Sequence, residues 1–172
     1  QVRIGGELSI WAQQHDHETL RPVKARSYEL PALSTLESAY ILRMLMGLED
    51  PDDRVKEAIR GGVRWLNNHR IEGVRVANIA AGKTEYRWHV SDRDRVIVAD
   101  PGSPPVWTRF YDLKTGLPTF FTREGDVVND YTDVPRERRT GYGWWGTWGR
   151  RILEEDYPRW QAEHDPELDV LK

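Results

Sequence analysis

From Ser34 onward the chain takes on helical spacing. Ala39, Ile41, Leu42, Leu45, Met46 and Leu48 are apolar around much of a helix's circumference, which predicts a well-buried helix. Ser34, followed three residues later by Glu37, predicts a capping box at its start. A second pattern begins after Asp50. Asp50 suits the N-cap and Pro51 the first helical position, while Asp52 and Asp53 suit the positive end of the helix dipole. Val55, Ala58, Ile59, Gly62, Val63 and Leu66 then form one apolar stripe. The very short connection between the two patterns predicts an antiparallel αα-hairpin over about residues 35–69.

Elsewhere the period is that of strands or absent. Glu7 to Trp11, Ile71 to Val76 and Val96 to Val98 read as short strands, and residues 77–95 as polar and irregular. Asp100 to Pro105 is a loop. Val106 to Leu113 and Leu117 to Arg123 read as two strands joined at Lys114-Thr115-Gly116, a β-hairpin over about residues 106–123. Pro135 to Arg139 suits a single helical turn, and Arg150 to Tyr157 and Pro158 to His164 read as helical. There is no internal repeat. The fold class expected is mainly α with irregular β pieces, in a single unit over residues 1–172.

Between the first strand and the first helix lies Gln14 to Pro31, dense in charge, carrying two prolines and without period. It reads as a loop, and loops on a rigid scaffold often carry function. His15, Arg26 and Tyr28 lie within it. The net charge of −3 gives no general attraction for nucleic acid. No apolar run is long enough to span a bilayer, and no leader peptide is visible. With no Cys, disulfides and thiolate metal sites are excluded. Of 25 basic residues five are Lys, leaving twenty Arg. An arginine fork grips carboxylates bidentately, although a GC-rich genome gives the same excess. Eight Trp and seven Tyr offer faces for sugar stacking as well as for core packing.

Three groups of residues could carry chemistry. Alternation places Trp107, Arg109 and Tyr111 on one face of the second hairpin. If Leu113 pairs with Leu117, Arg109 and Arg123 become diagonal neighbours, and two like charges there call for an anion between them. A galacturonate carboxylate would serve; otherwise both guanidiniums pair with protein carboxylates or simply point to water. Arg138 to Gly149 alternates Gly with aromatics, either as a carbohydrate platform or as a buried structural loop. The five histidines are scattered, and His15 and His17 would point to opposite faces of a strand. No HExxH, GxSxG, P-loop or GxGxxG motif is present. The acidic run Glu49 to Asp53 is explained by helix capping.

The segments Trp11 to Asp16, Lys24 to Pro31, the Glu37 helix with Met44-Leu45-Met46, Trp107 to Asp112 and Arg138 to Trp144 together resemble the C-terminal half of the family 10 pectate lyases. The resemblance runs from about residue 8 to residue 160 in the same order. It implies part of an open (α/α) toroid with a wide groove. The implied activity is cleavage of α-1,4-linked polygalacturonate by β-elimination with Ca2+, in a secreted or extracellular protein. It implies that Arg26 is the base taking the C5 proton, that Arg109 and Arg123 bind substrate carboxylates, and that Arg70 is the nearest candidate for a further cation. It also places the calcium ligands, aspartates of the N-terminal half, outside this chain, so that an N-terminal segment becomes a partner. An arginine base is the difficult part of such a mechanism, because guanidinium ordinarily stays protonated. The readings that compete are a non-catalytic piece of the same scaffold, either binding acidic polysaccharide or purely structural, and a lyase for another acidic glycan.

Overall fold

A computed structural model describes residues 1–172. β1 (Arg3–Ile4) and β2 (Glu7–Leu8) form a small hairpin turning at Gly5 and Gly6, both with positive φ. Past the long loop, β3 (Leu33–Ser34) leads into α1 (Thr35–Met46) and α2 (Asp53–Asn68). A two-stranded ribbon follows, β4 (Val74–Glu85) with β5 (Val90–Ala99). β6 (Trp107–Thr108), β7 (Phe110–Tyr111), β8 (Pro118–Phe121) and β9 (Val127–Val128) come next, then a 3-10 turn at Tyr131–Asp133 and α3 (Arg136–Gly141). β10 (Trp145–Gly146) pairs with β6, and a π-helical turn at Ile152–Asp156 runs into α4 (Tyr157–His164). The four-stranded sheet has the order β3-β7-β8-β9.

This corrects the expected fold class. The chain is not mainly α-helical and does not form a toroid of paired helices. Strand and helix take comparable shares, and the longest paired element is the β4–β5 ribbon. Residues 77–95 lack an apolar face, so they read as irregular. Cross-strand backbone bonds hold them instead, and few of their side chains are buried. A two-stranded ribbon is marginal alone, and this one is braced by α3. Arg139 makes two bonds to Asp94, at 2.9 and 2.6 Å. A bulge between Ala80 and Thr84 leaves carbonyls without ladder partners. Arg136 fills that gap, donating to the carbonyls of Gly82 (2.8 Å), Ser91 (3.2 Å) and Arg93 (3.1 Å) and to the Thr84 hydroxyl (3.2 Å).

The αα-hairpin forms as its stripe requires, with two local differences. Asp52, not Asp50, is the N-cap of α2, accepting from the Val55 amide at 2.8 Å. Ser34 begins α1, but no capping box closes. Its amide already donates to the Trp11 carbonyl at 2.8 Å, and Glu37 takes the Ser34 hydroxyl and Arg109 instead.

The second hairpin also departs from simple alternation. The strand bends at Arg109, whose amide donates to Trp144 and whose carbonyl accepts from Thr35. Trp107 and Tyr111 therefore enter a core with Leu42, Ile59, Val63 and Leu66 of α1 and α2. Phe110 joins a second core with Phe120, Phe121, Tyr131 and Trp144, and Arg109 turns away from both. Register differs by one residue from the expected pairing: Tyr111 faces Pro118 and Phe110 faces Thr119. The cause is Asp112, whose carboxylate accepts from the Lys114 and Thr115 amides and closes a longer turn ending at Gly116 (φ +67°). A slip of one exchanges the faces of every pair, so Arg109 and Arg123 are not brought together by strand pairing.

The closest helix approach gives a stability test. A Cβ at Gly61 would lie 2.5 Å from Leu8 Cβ, an atom tied to the backbone, whereas one at Gly62 would meet the movable end of Leu42. Helix propensity favours alanine at either site by about 1 kcal/mol, and overpacking opposes it by about 1–3 kcal/mol. Chemical denaturation should show Gly61→Ala destabilised by about 1–2 kcal/mol and Gly62→Ala affected less.

Candidate functional site

Two tyrosines form the centre of the charged groups. Tyr28 comes from the long loop and Tyr142 from the end of α3. The Arg26 guanidinium lies 4.9 Å from the Tyr28 ring centroid and 5.8 Å from that of Tyr142. Arg109 lies 5.0 Å from the Tyr142 ring and Arg123 5.1 Å from the Tyr28 ring. Arg138 sits against both, at 4.6 Å from Tyr28 and 4.5 Å from Tyr142. Ring faces attract cations, so four arginines from four separate elements converge without strand pairing. Three of them, Arg26, Arg109 and Arg123, are the expected site residues. Arg70 is not among them. It is exposed at the end of α2, bonded to Glu72 at 2.8 Å and to Asn67 at 3.1 Å.

Three of the four arginines already hold protein carboxylates. Arg26 grips Glu29 bidentately, with Nε 2.6 Å from Oε2. Arg109 reaches Glu37 at 2.6 Å, and Arg123 pairs with Glu137. Arg138 has no carboxylate partner. Its side chain is buried, its Nε is 3.4 Å from the Phe121 carbonyl and one Nη is unpaired. Burial, reinforced by the nearby Arg123, pulls its pKa below the ordinary guanidinium value.

Glu29 is 1% exposed and takes a bond from the Tyr142 hydroxyl as well as from Arg26. Burial by itself would raise its pKa. The hydrogen bonds from Arg26 and Tyr142 outweigh burial, and the net direction is down. The same hydrogen bond pushes Arg26 above its ordinary value, against the smaller effect of its own desolvation. In this state Arg26 is firmly a cation.

The loop's histidine has a structural role. His15 Nδ1 lies 2.8 Å from the Leu20 carbonyl and Nε2 accepts from the Ala12 amide at 3.1 Å. The ring thus bridges the base of a turn in which Leu20 adopts φ +57°. The Gly and aromatic stretch is mostly structural too. Trp144 is buried in the second core, and a Cβ at Gly149 would meet Trp107 at 2.8 Å. Its contributions to the site are Arg138 and Tyr142, which spacing alone did not single out. Tyr28, Glu29, Arg138 and Tyr142 all lie inside the segments that carry the family resemblance.

Beside this cluster is a cavity of about 630 Å³ bounded by Tyr28, Arg123, Glu137 and Arg138, with the ribbon tip, Tyr86 to Trp88, on its far side. No group of three or more His, Asp or Glu side chains converges anywhere in the chain. Glu29, Glu37 and Glu137 are each held by an arginine, so these residues do not fit a calcium site. No helix is long and apolar enough to cross a membrane.

The Pectic acid lyase family model matches residues 1–153. The chain belongs to the pectic acid lyase family. Two solved structures are similar over nearly the whole chain. One is a family 10 polysaccharide lyase from Cellvibrio cellulosa, 33% identical with a TM-score of 0.75, covering 92% of this chain and 46% of that one. The other is an aspartate-to-alanine mutant of a family 10 polysaccharide lyase from the same organism in complex with trigalacturonic acid. It is 32% identical with a TM-score of 0.74, covering 96% of this chain and 47% of that one. This pectic acid lyase chain thus spans about half the length of those structures. A vacuolar protein sorting/targeting protein 10 from Coccidioides posadasii (strain C735) is 30% identical over 90 residues, 51% of this chain but 5% of that protein. A match so small a part of that protein carries no functional reading.

Glu29 gives a pH test of the site. Its folded pKa is depressed, so its contribution to stability is present above the unfolded value of about 4.3 and is lost as pH falls through the folded value. Tyr142→Phe removes one donor from this buried charge and should cost roughly 1–3 kcal/mol at neutral pH. The cost should shrink in acid. Thermal unfolding of the variant from pH 7 down to pH 3 measures both.

Proposed function

We propose that this chain is the arginine-bearing part, corresponding to the C-terminal half, of a secreted pectate lyase that cleaves α-1,4-polygalacturonate by β-elimination. The observation that carries this is the convergence of Arg26, Arg109, Arg123 and Arg138 on Tyr28 and Tyr142 in a member of the pectic acid lyase family. In this reading Arg109 and Arg123 orient galacturonate carboxylates, and the two tyrosines hold the guanidiniums in place. Neutralising the carboxylate at C5 makes the adjacent proton more acidic and stabilises the anion that forms. Arg26, in its neutral form, takes that proton. The electron pair left at C5 forms the C4=C5 double bond, the C4–O4 bond breaks, and O4 leaves as a hydroxyl after protonation by water. Calcium enters this reading only as an ion held by residues outside the chain.

The strain in this mechanism is Glu29, which holds Arg26 protonated. The pair must loosen before Arg26 can act, and neighbouring cations favour its neutral form. Activity should therefore rise toward alkaline pH. Absorbance of the unsaturated uronate product, measured on the full-length protein with polygalacturonate, tests the reading. Signal should vanish in Arg26→Ala and on adding EDTA. Absence of signal from the full-length protein at every pH would sink the proposal. Glu29→Gln separates Arg26 as a base from Arg26 as a binding cation. If Arg26 is the base, the alkaline rise moves to lower pH by roughly one unit or more. If Arg26 only binds, activity falls without any displacement of the profile.

A further inference from the structure

The β4–β5 ribbon ends in a turn that the lyase reading leaves without a role. Tyr86 and His89 close it through a 2.9 Å backbone bond, which leaves Arg87 and Trp88 at its apex. Trp88 is 64% exposed, an unusual place for a large indole. The Arg87 guanidinium lies 4.8 Å from the Trp88 ring centroid and has neither a carboxylate partner nor a hydrogen bond, although eighteen ion pairs are formed elsewhere in the chain. Both residues line the cavity of about 630 Å³ together with Tyr28, Arg123, Arg138 and two carboxylates, Glu124 and the Arg123-paired Glu137. That volume lies within the roughly 300–1,000 Å³ of small-ligand sites.

The apex is held in place. Arg136 fills the bulge below it with four bonds. His89 bonds the Thr140 hydroxyl at 2.9 Å, and its ring lies so close to Gly141 that a Cβ there would approach within 2.6 Å. Arg95 reaches the Tyr142 carbonyl at 3.2 Å, so the ribbon also touches the central tyrosine's own backbone. An exposed indole beside a cation without a partner, on a braced turn that lines a cavity, has the chemistry needed for one acidic pyranose. The indole stacks on the ring and the guanidinium pairs with its carboxylate.

We infer that Arg87 and Trp88 form an additional subsite for one uronate residue, beyond those bound at the Tyr28 and Tyr142 cluster. The inference rests on the polygalacturonate reading and deepens it. The ribbon then lengthens the bound stretch of glycan and sets a preference for longer chains.

Calorimetric titration of the full-length protein with galacturonate trimers and hexamers tests this. Arg87→Ala and Trp88→Ala should weaken hexamer binding about tenfold more than trimer binding. Arg87→Lys, which keeps charge but not the fork, should recover part of the loss. Equal weakening at both lengths, or no change at either, overturns the subsite and leaves the lyase reading standing. A wild-type protein that binds neither oligomer overturns both. Both side chains are exposed, so the folded state should survive, and unchanged thermal unfolding checks that it does.

Discussion

The fold of this chain is organised around a buried cation. Arg138 is 1% exposed and has no carboxylate of its own, in a setting where an isolated charge is costly. What surrounds it is aromatic: Tyr28, Tyr142 and Trp144, the last at 5.2 Å from the guanidinium. These come from the long loop and from the segment after α3, and the Phe121 carbonyl that faces Nε comes from β8. Arg138 thus ties three distant stretches of chain to one point. The Trp144 indole returns the favour by donating to the Arg138 carbonyl at 3.0 Å. The other three arginines sit on the outer faces of the same two tyrosines, so what stabilises the buried charge also assembles the candidate site.

Each of those outer arginines is matched with a glutamate whose position is fixed by another element. Glu29 is held by the Tyr142 hydroxyl, Glu37 by the Ser34 hydroxyl at the start of α1, and Glu137 by its place in α3. Charges packed this closely would repel without those partners. The glutamates therefore hold the guanidinium forks in place, and under the proposed function a uronate arriving at Arg109 or Arg123 would have to share the fork with a protein carboxylate. The excess charge of the cluster is small, since four arginines face three glutamates.

Much of this was legible in the sequence, though unevenly. The αα-hairpin was readable because the stripe from Val55 to Leu66 has one periodicity and one explanation. The second hairpin was readable as a pair of strands but not in register, because the Asp112 turn and the bend at Arg109 depend on side-chain contacts that alternation does not encode. The mainly α-helical expectation failed at Val74 to Ala99, where a ribbon with little burial on either face has no hydrophobic signature. At the site, Arg109 and Arg123 were placed together by a strand register that the structure does not have, and Arg26 was joined to them only by the family resemblance. Arg70 lay at the right end of α2 in sequence and apart from the cluster in space. Arg138 was hidden in a run of basic residues, although Arg136, Arg138 and Arg139 do three different things: brace a bulge, fill a core and pin a strand.

That division of labour explains how the ribbon and the site come to be linked. In α3 helical spacing puts Arg136 and Arg139, three apart, on one face and Arg138 on another. Arg138 points inward to the tyrosines, while Arg136 and Arg139 point outward to β4 and β5. Moving α3 moves both. A ribbon so connected cannot swing independently of the tyrosine cluster, and Arg95 on the Tyr142 carbonyl adds a second connection. The cavity between them therefore has two walls fixed by one short helix. Under the proposed function such a wall would meet a stiff, repeating acidic polymer, in which the next carboxylate arrives at a set distance from the last. The exposed indole at its apex acquires its position from α3, and its own burial contributes little.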